Sequence, residues 1–309
     1  MPHDHAHHAH DHAHDAPAPA RFGTAFAVGA ALNIGLVAAQ VVGGIAANSM
    51  ALLADAAHNA GDVLALLLAW GAFVLGRRQP TARRTYGWGR GTILVALGNA
   101  VVLLISVGAI AVEAVQRLLA PAPVAEMTVI WVAGAGILVN GVTAILFARG
   151  HEDLNIRATF LHMAGDAAIS AGVVLAALAI LLTGRLWIDP AASLAIAALI
   201  TVSTWGVLRD SAHLAMDGVP ARIAEDEVGA WLGSLPGVLE VHDLHIWGLS
   251  TTETALTAHL VRSEHVDDQE LIRTACQELR ARFHIGHVTL QVETPAAAEV
   301  CGLRPADVV

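Results

Sequence analysis

Six membrane-spanning α-helices followed by a small soluble α+β domain is the fold class this sequence predicts, and three observations carry it. Of 309 residues, 55% are hydrophobic and only 14% charged, about half the charged share of an ordinary soluble domain, and mean hydropathy is +0.59. The charges are segregated. Between Phe22 and Gly76 there is no arginine or lysine and the only acids are Asp55 and Asp62, whereas Asp210 to Val309 holds sixteen acids and six arginines. The apolar residues, finally, fall into six blocks, each near the roughly twenty residues a helix needs to cross hydrocarbon. All seventeen Lys/Arg positions are arginine and the net charge is −10, which argues against a general nucleic-acid binder.

Residues 1–21 come before the first block. They hold His3, His5, His7, His8, His10, His12 and His14, interleaved with Asp4, Asp11 and Asp15, and then an Ala-Pro-Ala-Pro-Ala spacer. The segment has neither the basic start nor the short apolar core of a secretory signal. Imidazole and carboxylate ligate divalent transition metals, so this disordered tail is expected to capture metal. The alternative is an affinity tag or a solvated tail; the irregular spacing and the aspartates speak against a tag.

The blocks run from Phe22 to about Ala46, Met50 to Gly76, Gly91 to Leu119, Met127 to Ala148, Ile156 to Leu182 and Trp187 to Leu208. They make a transport-sized membrane domain over residues 22–209. An even number of spans puts both ends on one side, and loop arginine says which. Arg77, Arg78, Arg83, Arg84 and Arg90 follow the second block and Arg149 and Arg157 the fourth, against Arg185 in the alternate connections and Arg117 at a helix end. Both termini are therefore expected in the cytoplasm. Residues 210–295 read as the soluble domain. A helix over Ile223–Leu235 stops at Pro236-Gly237, strands follow over Val238–Leu249 and Thr254–Val261, then a helix over Asp267–Phe283 and a strand over Val288–Glu293. That α-β-β-α-β order predicts a two-layer fold, with 296–309 as a tail. Two cysteines, Cys276 and Cys301, make neither a disulfide framework nor a thiolate zinc cage.

Two spans carry the same polar motif: His58-Asn-Ala-Gly-Asp62 in the second and His162-Met-Ala-Gly-Asp166 in the fifth. At i, i+4 each His and Asp share a helix face. Ionisable groups inside apolar spans are costly and mark an ion path or proton relay. Two imidazoles and two carboxylates suit tetrahedral zinc, and the small Ala and Gly of each motif allow close helix approach. Asp55, one turn before His58, either orients that imidazole as a carboxylate behind the ligands or packs helices. Glu113 and Arg117 read as an i, i+4 pair, and Asn33, Gln40, Asn99 and Asn140 as interhelical hydrogen-bond partners.

With these motifs stand Asn48-Ser-Met-Ala-Leu-Leu-Ala-Asp55, Tyr86-Gly-Trp-Gly-Arg90, Ile188-Asp-Pro190, Met216-Asp-Gly-Val-Pro220 and Val241-His-Asp-Leu-His-Ile-Trp247. In this set the chain resembles the cation diffusion facilitator family of divalent-metal/proton antiporters over nearly everything after residue 21. The resemblance implies a transport site of His58, Asp62, His162 and Asp166, a homodimer, alternating access, and a ferredoxin-like cytoplasmic domain that binds metal. It maps ligands there onto His242, His259 and Glu293. Gln291 stands where some relatives have His, with His287 a possible substitute. His242 and His245 fall on opposite faces of a regular strand and should not share a metal. Residues 77–90 lack the histidines that some relatives carry in that loop.

The function expected is export of a divalent transition metal, Zn2+ first and Co2+, Ni2+ or Cd2+ as alternatives, across the inner membrane in exchange for protons. Zn2+ would be both substrate and regulatory ligand, with no organic cofactor. Metal and protons compete for the same groups, and an imidazole of ordinary pKa, about 6.5, switches near physiological pH. An intramembrane zinc metalloenzyme is the rival from another class. It is disfavoured because no His-Glu-x-x-His is present and four protein ligands leave no open position for catalysis. A metal sensor that does not transport is the third reading.

Overall fold

The computed structural model describes residues 19–76, 78–147 and 154–304. Six apolar helices come first: α1 (Pro19–Ala47), α2 (Met50–Gly76), α3 (Gly91–Leu119), α4 (Glu126–Phe147), α5 (Leu154–Thr183) and α6 (Ile188–Ala215). Five contain stretches long and apolar enough to cross a membrane, and α1 adds the apolar run Ala31–Ala47. The sixth helix runs to Ala215, about two turns beyond its expected end at Leu208, because leaving hydrocarbon does not itself end a helix and no Pro or Gly interrupts residues 209–215. The histidine-bearing start, residues 3–14, lies outside the described residues.

Packing pairs α3 with α6 and α4 with α5, while α2 touches α1, α3, α5 and α6. On α3 the buried residues are Ile93, Ala100, Val107 and Ala114, one per heptad, so a single seam faces its neighbours along the whole helix. The bundle is not evenly closed. Ala47, Ala51, Leu52 and Ala54 pack with Val107, Val129, Val173, Ala177, Ile196 and Ile200 at the end that carries the α1–α2 turn. At the other end, among the described residues, α2 has no buried position after Gly61 and α5 none before Asp166. That open end carries the arginine-rich connection after α2.

A polar clamp closes the packed end. Asn48 takes a left-handed φ of 55° and turns the chain between α1 and α2. Ser49 caps α2, its Oγ accepting from Leu52 N at 3.2 Å. The buried Asp189 carboxylate at the start of α6 accepts from Ser49 Oγ at 2.5 Å and from the amides of Met50 and Ala51 at 2.7 and 3.4 Å. It thus supplies the negative charge that a helix N-terminus favours. Arg117 donates to Asn48 O at 2.7 Å and to Glu113 at 3.0 Å; Asn48 Nδ2 donates to Pro123 O at 3.0 Å.

The soluble domain contains α7 (Glu225–Gly233), β1 (Val238–Gly248), β2 (Thr254–Arg262), α8 (Asp268–Phe283), β3 (His287–Glu293) and a short α9 (Pro295–Glu299). The order α-β-β-α-β is as expected, and the sheet runs β1-β2-β3. β1 and β2 pair antiparallel, β2 and β3 parallel; the parallel pair requires a crossover, which α8 provides. Alternate residues Leu256, Ala258 and Leu260 of β2 join Val228, Leu232, Leu271, Ala275 and Leu279 in one core, so the helices cover one sheet face. The other face carries His242, His259 and Glu293. Of residues 296–309, expected as a tail, those described (296–304) instead belong to α9 and a folded return. The guanidinium of Arg304 there holds the Glu240 carboxyl below its ordinary pKa.

Candidate metal centres

Helix geometry brings the two membrane motifs together. With His58 and Asp62 on one face of α2 and His162 and Asp166 on one face of α5, the contact between the helices places all four side chains around a common point. His58 Nε2 lies 3.0 Å from Asp166 Oδ1 and 3.8 Å from Asp62 Oδ2. His162 Nε2 lies 3.5 Å from Asp62 Oδ2 and 3.8 Å from Asp166 Oδ2. Ligands about 2.0–2.2 Å from a tetrahedral zinc stand roughly 3.3–3.6 Å from one another, so these separations are close to those of a coordination shell. His58, Asp62 and Asp166 each offer one atom within 4.8 Å of the others. His162 reaches both carboxylates, but its ring centroid is 6.4 Å from that of His58.

Exposure orders the set. The side chains of Asp166 and His58 are 4% and 14% exposed, those of Asp62 and His162 33% and 47%. The cluster thus sits where the packed end gives way to the open end, with one His-Asp pair buried and the other facing the opening. Asp62 Oδ2 is buried without a hydrogen-bond donor, an acceptor that a cation or proton would satisfy.

Asp55 does not orient His58 by a hydrogen bond. Its fully buried carboxylate accepts from Gln40 Nε2 at 2.8 Å, Ser170 Oγ at 2.9 Å and Asn59 Nδ2 at 3.4 Å, and Asn59 also donates to Gln40 Oε1 at 2.9 Å. The network ties α1, α2 and α5 one turn nearer the packed end. Gly136 on α4 lets it close, since a Cβ there would stand 2.8 Å from Ser170 Oγ. Of the two readings of Asp55, the packing role is the one these bonds support.

A second cluster lies on the uncovered face of the sheet. His242 and His259 face each other across β1 and β2, in one row with Gln291. His242 Nε2 is 3.3 Å from Glu293 Oε2, and His259 Nδ1 is 3.0 Å from Glu293 Oε1. Three expectations need correction. His287, opposite Ala255 at the far end of β3, meets Tyr86 edge-to-face with ring centroids 5.3 Å apart and is not part of this group. Cys301, set aside in the sequence because two cysteines make no thiolate cage, instead lies beside the group, its Sγ 3.6 Å from His259 Nδ1. And β1 is not regular. A bulge between His242 and His245, with Asp243 at φ 51°, adds one residue and brings both histidines to the same face. Asp243 then bridges His245 Nε2 at 3.0 Å and His259 Nε2 at 3.5 Å. We expect His287→Ala to leave Cd2+ affinity of the soluble domain unchanged within about twofold, and His259→Ala to lower it at least about tenfold, by isothermal titration.

An apolar helix bundle holding imidazole–carboxylate pairs at its centre, joined to a separate α+β domain, defines a multi-pass membrane transporter and not an enzyme. The chain belongs to the cation efflux family: residues 26–214 match the cation efflux transmembrane domain and residues 220–295 the cation efflux protein cytoplasmic domain. It is 35% identical over 271 residues to a cadmium, cobalt and zinc/H(+)-K(+) antiporter of Bacillus subtilis, covering 85% of this chain and 86% of the relative. It is also 35% identical over 265 residues to the zinc transporter ZitB of Escherichia coli, covering 85% and 84%. Among solved structures it is similar to the metal-bound C-terminal domain of the CzcD transporter from Cupriavidus metallidurans, at 36% identity over 23% of this chain and 99% of that one, with a TM-score of 0.22.

Proposed function

We propose that this protein exports Zn2+ from the cytoplasm in exchange for protons, through a site made of His58, Asp62, His162 and Asp166. The observation that carries the reading is the convergence of two imidazoles and two carboxylates, from two different membrane helices, with His–Asp separations of 3.0–3.8 Å. Metal enters from the open end, which bears the arginine-rich connection and so faces the cytoplasm, with both termini on that side of the inner membrane. Bound metal requires neutral imidazole and ionised carboxylate. Protons arriving from the other side displace it and are carried inward. Imidazole ligation disfavours Mn2+ and Mg2+; Cd2+ and Co2+, named for the Bacillus relative, are the nearest competitors.

The cytoplasmic-domain match supports a homodimer, in which His242, His259 and Glu293 form a regulatory metal cluster. The His-rich start raises the metal concentration near the entrance. Purified protein in liposomes with an internal pH dye tests the antiport. An outward proton gradient should drive Zn2+ uptake with matching proton loss, unaffected by K+ on either side. Zn2+ movement without a proton signal would sink the coupling, and metal binding without movement would sink transport.

A further inference from the structure

The chain does not trail away after Glu293. Thr294 caps the next turn, its Oγ1 accepting from Ala297 N at 3.3 Å, and Pro295 opens α9, where its missing N–H costs nothing. Ala298 is buried against the sheet. Past the helix, Arg304 grips Glu240 on β1 with two bonds of 3.0 and 2.7 Å. Residues 295–304 therefore form a strap anchored at both ends, and Cys301 lies between the anchors.

The strap sets Cys301 Sγ 3.6 Å from His259 Nδ1. One atom each from His242, His259, Glu293 and Cys301 lies within 4.8 Å of the other three. Tetrahedral zinc with nitrogen, oxygen and sulfur ligands at about 2.0–2.3 Å spans edges of roughly 3.3–3.8 Å. With Glu293 Oε1 as the oxygen, two edges are close to those lengths, His259 Nδ1 to Glu293 Oε1 at 3.0 Å and to Cys301 Sγ at 3.6 Å, while His242 Nε2 lies 3.3 Å from the other oxygen, Oε2. His242 is 8% exposed, so its ring sits among these groups and away from water.

We propose that Cys301 supplies a thiolate as fourth ligand, with His242, His259 and Glu293, to a closed site for a borderline-soft divalent cation, zinc or cadmium. The proposal rests on the reading of the other three residues as a metal cluster. The matched cytoplasmic domain ends at residue 295, so the thiolate comes from this chain's own strap. Four protein ligands leave no position open, the mark of a structural or regulatory site. A filled site ties the strap to β1, β2 and β3 together. Sulfur ligation favours Cd2+ and Zn2+ over Mn2+ and Mg2+, and binding releases the thiol proton.

The chain has only two cysteines and none at the membrane site, so a metal–thiolate absorption band comes from Cys301 or Cys276, which single variants separate. The full-length Asp62→Ala/Asp166→Ala protein, its membrane site disabled, would be titrated with Co2+ and with Cd2+. We expect near-ultraviolet thiolate-to-metal charge-transfer absorption that survives Cys276→Ser and disappears in Cys301→Ser and His242→Ala. Cd2+ affinity should fall at least about tenfold in Cys301→Ser. If the band is absent while His242-dependent Cd2+ binding persists, the thiolate proposal fails and the three-residue cluster stands. If no binding depends on His242, both fail. A band that depends on Cys276 overturns the assignment of Cys301.

Discussion

Asp166→Ala should abolish zinc-driven proton flux in proteoliposomes while leaving the protein folded and monodisperse. The Asp166 side chain is 4% exposed and stands 3.0 Å from one imidazole of the site and 3.8 Å from the other. Deleting it removes an oxygen ligand at a position water reaches poorly, and leaves His58 with only the more distant Asp62. The loss of zinc affinity should be at least about 100-fold, or ~2.7 kcal/mol. Asp62→Ala should also stop transport but bind metal better than Asp166→Ala, because at 33% exposure a water can take the vacated position. Unaltered flux in either variant refutes the site.

Asp189→Ala should be the most destabilising change outside the site. One carboxylate there satisfies Ser49 Oγ and two backbone amides at the start of α2, all at buried positions. Each buried donor left without a partner costs about 1–3 kcal/mol, so a loss of roughly 3 kcal/mol or more is expected. Asp189→Asn, which keeps the shape and one acceptor, should lose about half as much. Thermal unfolding in detergent measures both. The same variants should admit water from the packed end, read as faster alkylation of a cysteine placed at Val124. A melting temperature equal to the parent's would show that the clamp is dispensable.

Much of this was legible before any coordinates, for physical reasons. Hydrocarbon imposes a length and polarity on each span, so the six helices and the exceptional His58, Asp62, His162 and Asp166 stand out against an apolar background. The soluble domain obeys weaker local rules, and the errors fall there. The bulge at Asp243 is a backbone event with no pattern in alternating residue types, so it reversed the face assigned to His245. The nearness of Cys301 to His259 was missed because groups in sequence-remote positions meet only through the fold. The Thr294-Pro295 pair, a helix start just after a strand, was the available sign that the chain turns back. Asp55 was ambiguous because an acid one turn from a ligand has the same spacing whether it faces the ligand or the neighbouring helices, and only the positions of Gln40 and Ser170 decide.

The clamp and the metal centre share a rigid element. From the Ser49 cap to Asp62 in α2 is thirteen residue steps, about 20 Å at 1.5 Å per residue. Held at one end by Asp189, a tilting helix would pivot at the clamp. A tilt of only about 5° sweeps Asp62 sideways by ~2 Å, as long as a zinc–oxygen bond. Swinging one arm against α5 is therefore enough to dismantle the coordination shell, without unwinding a single turn.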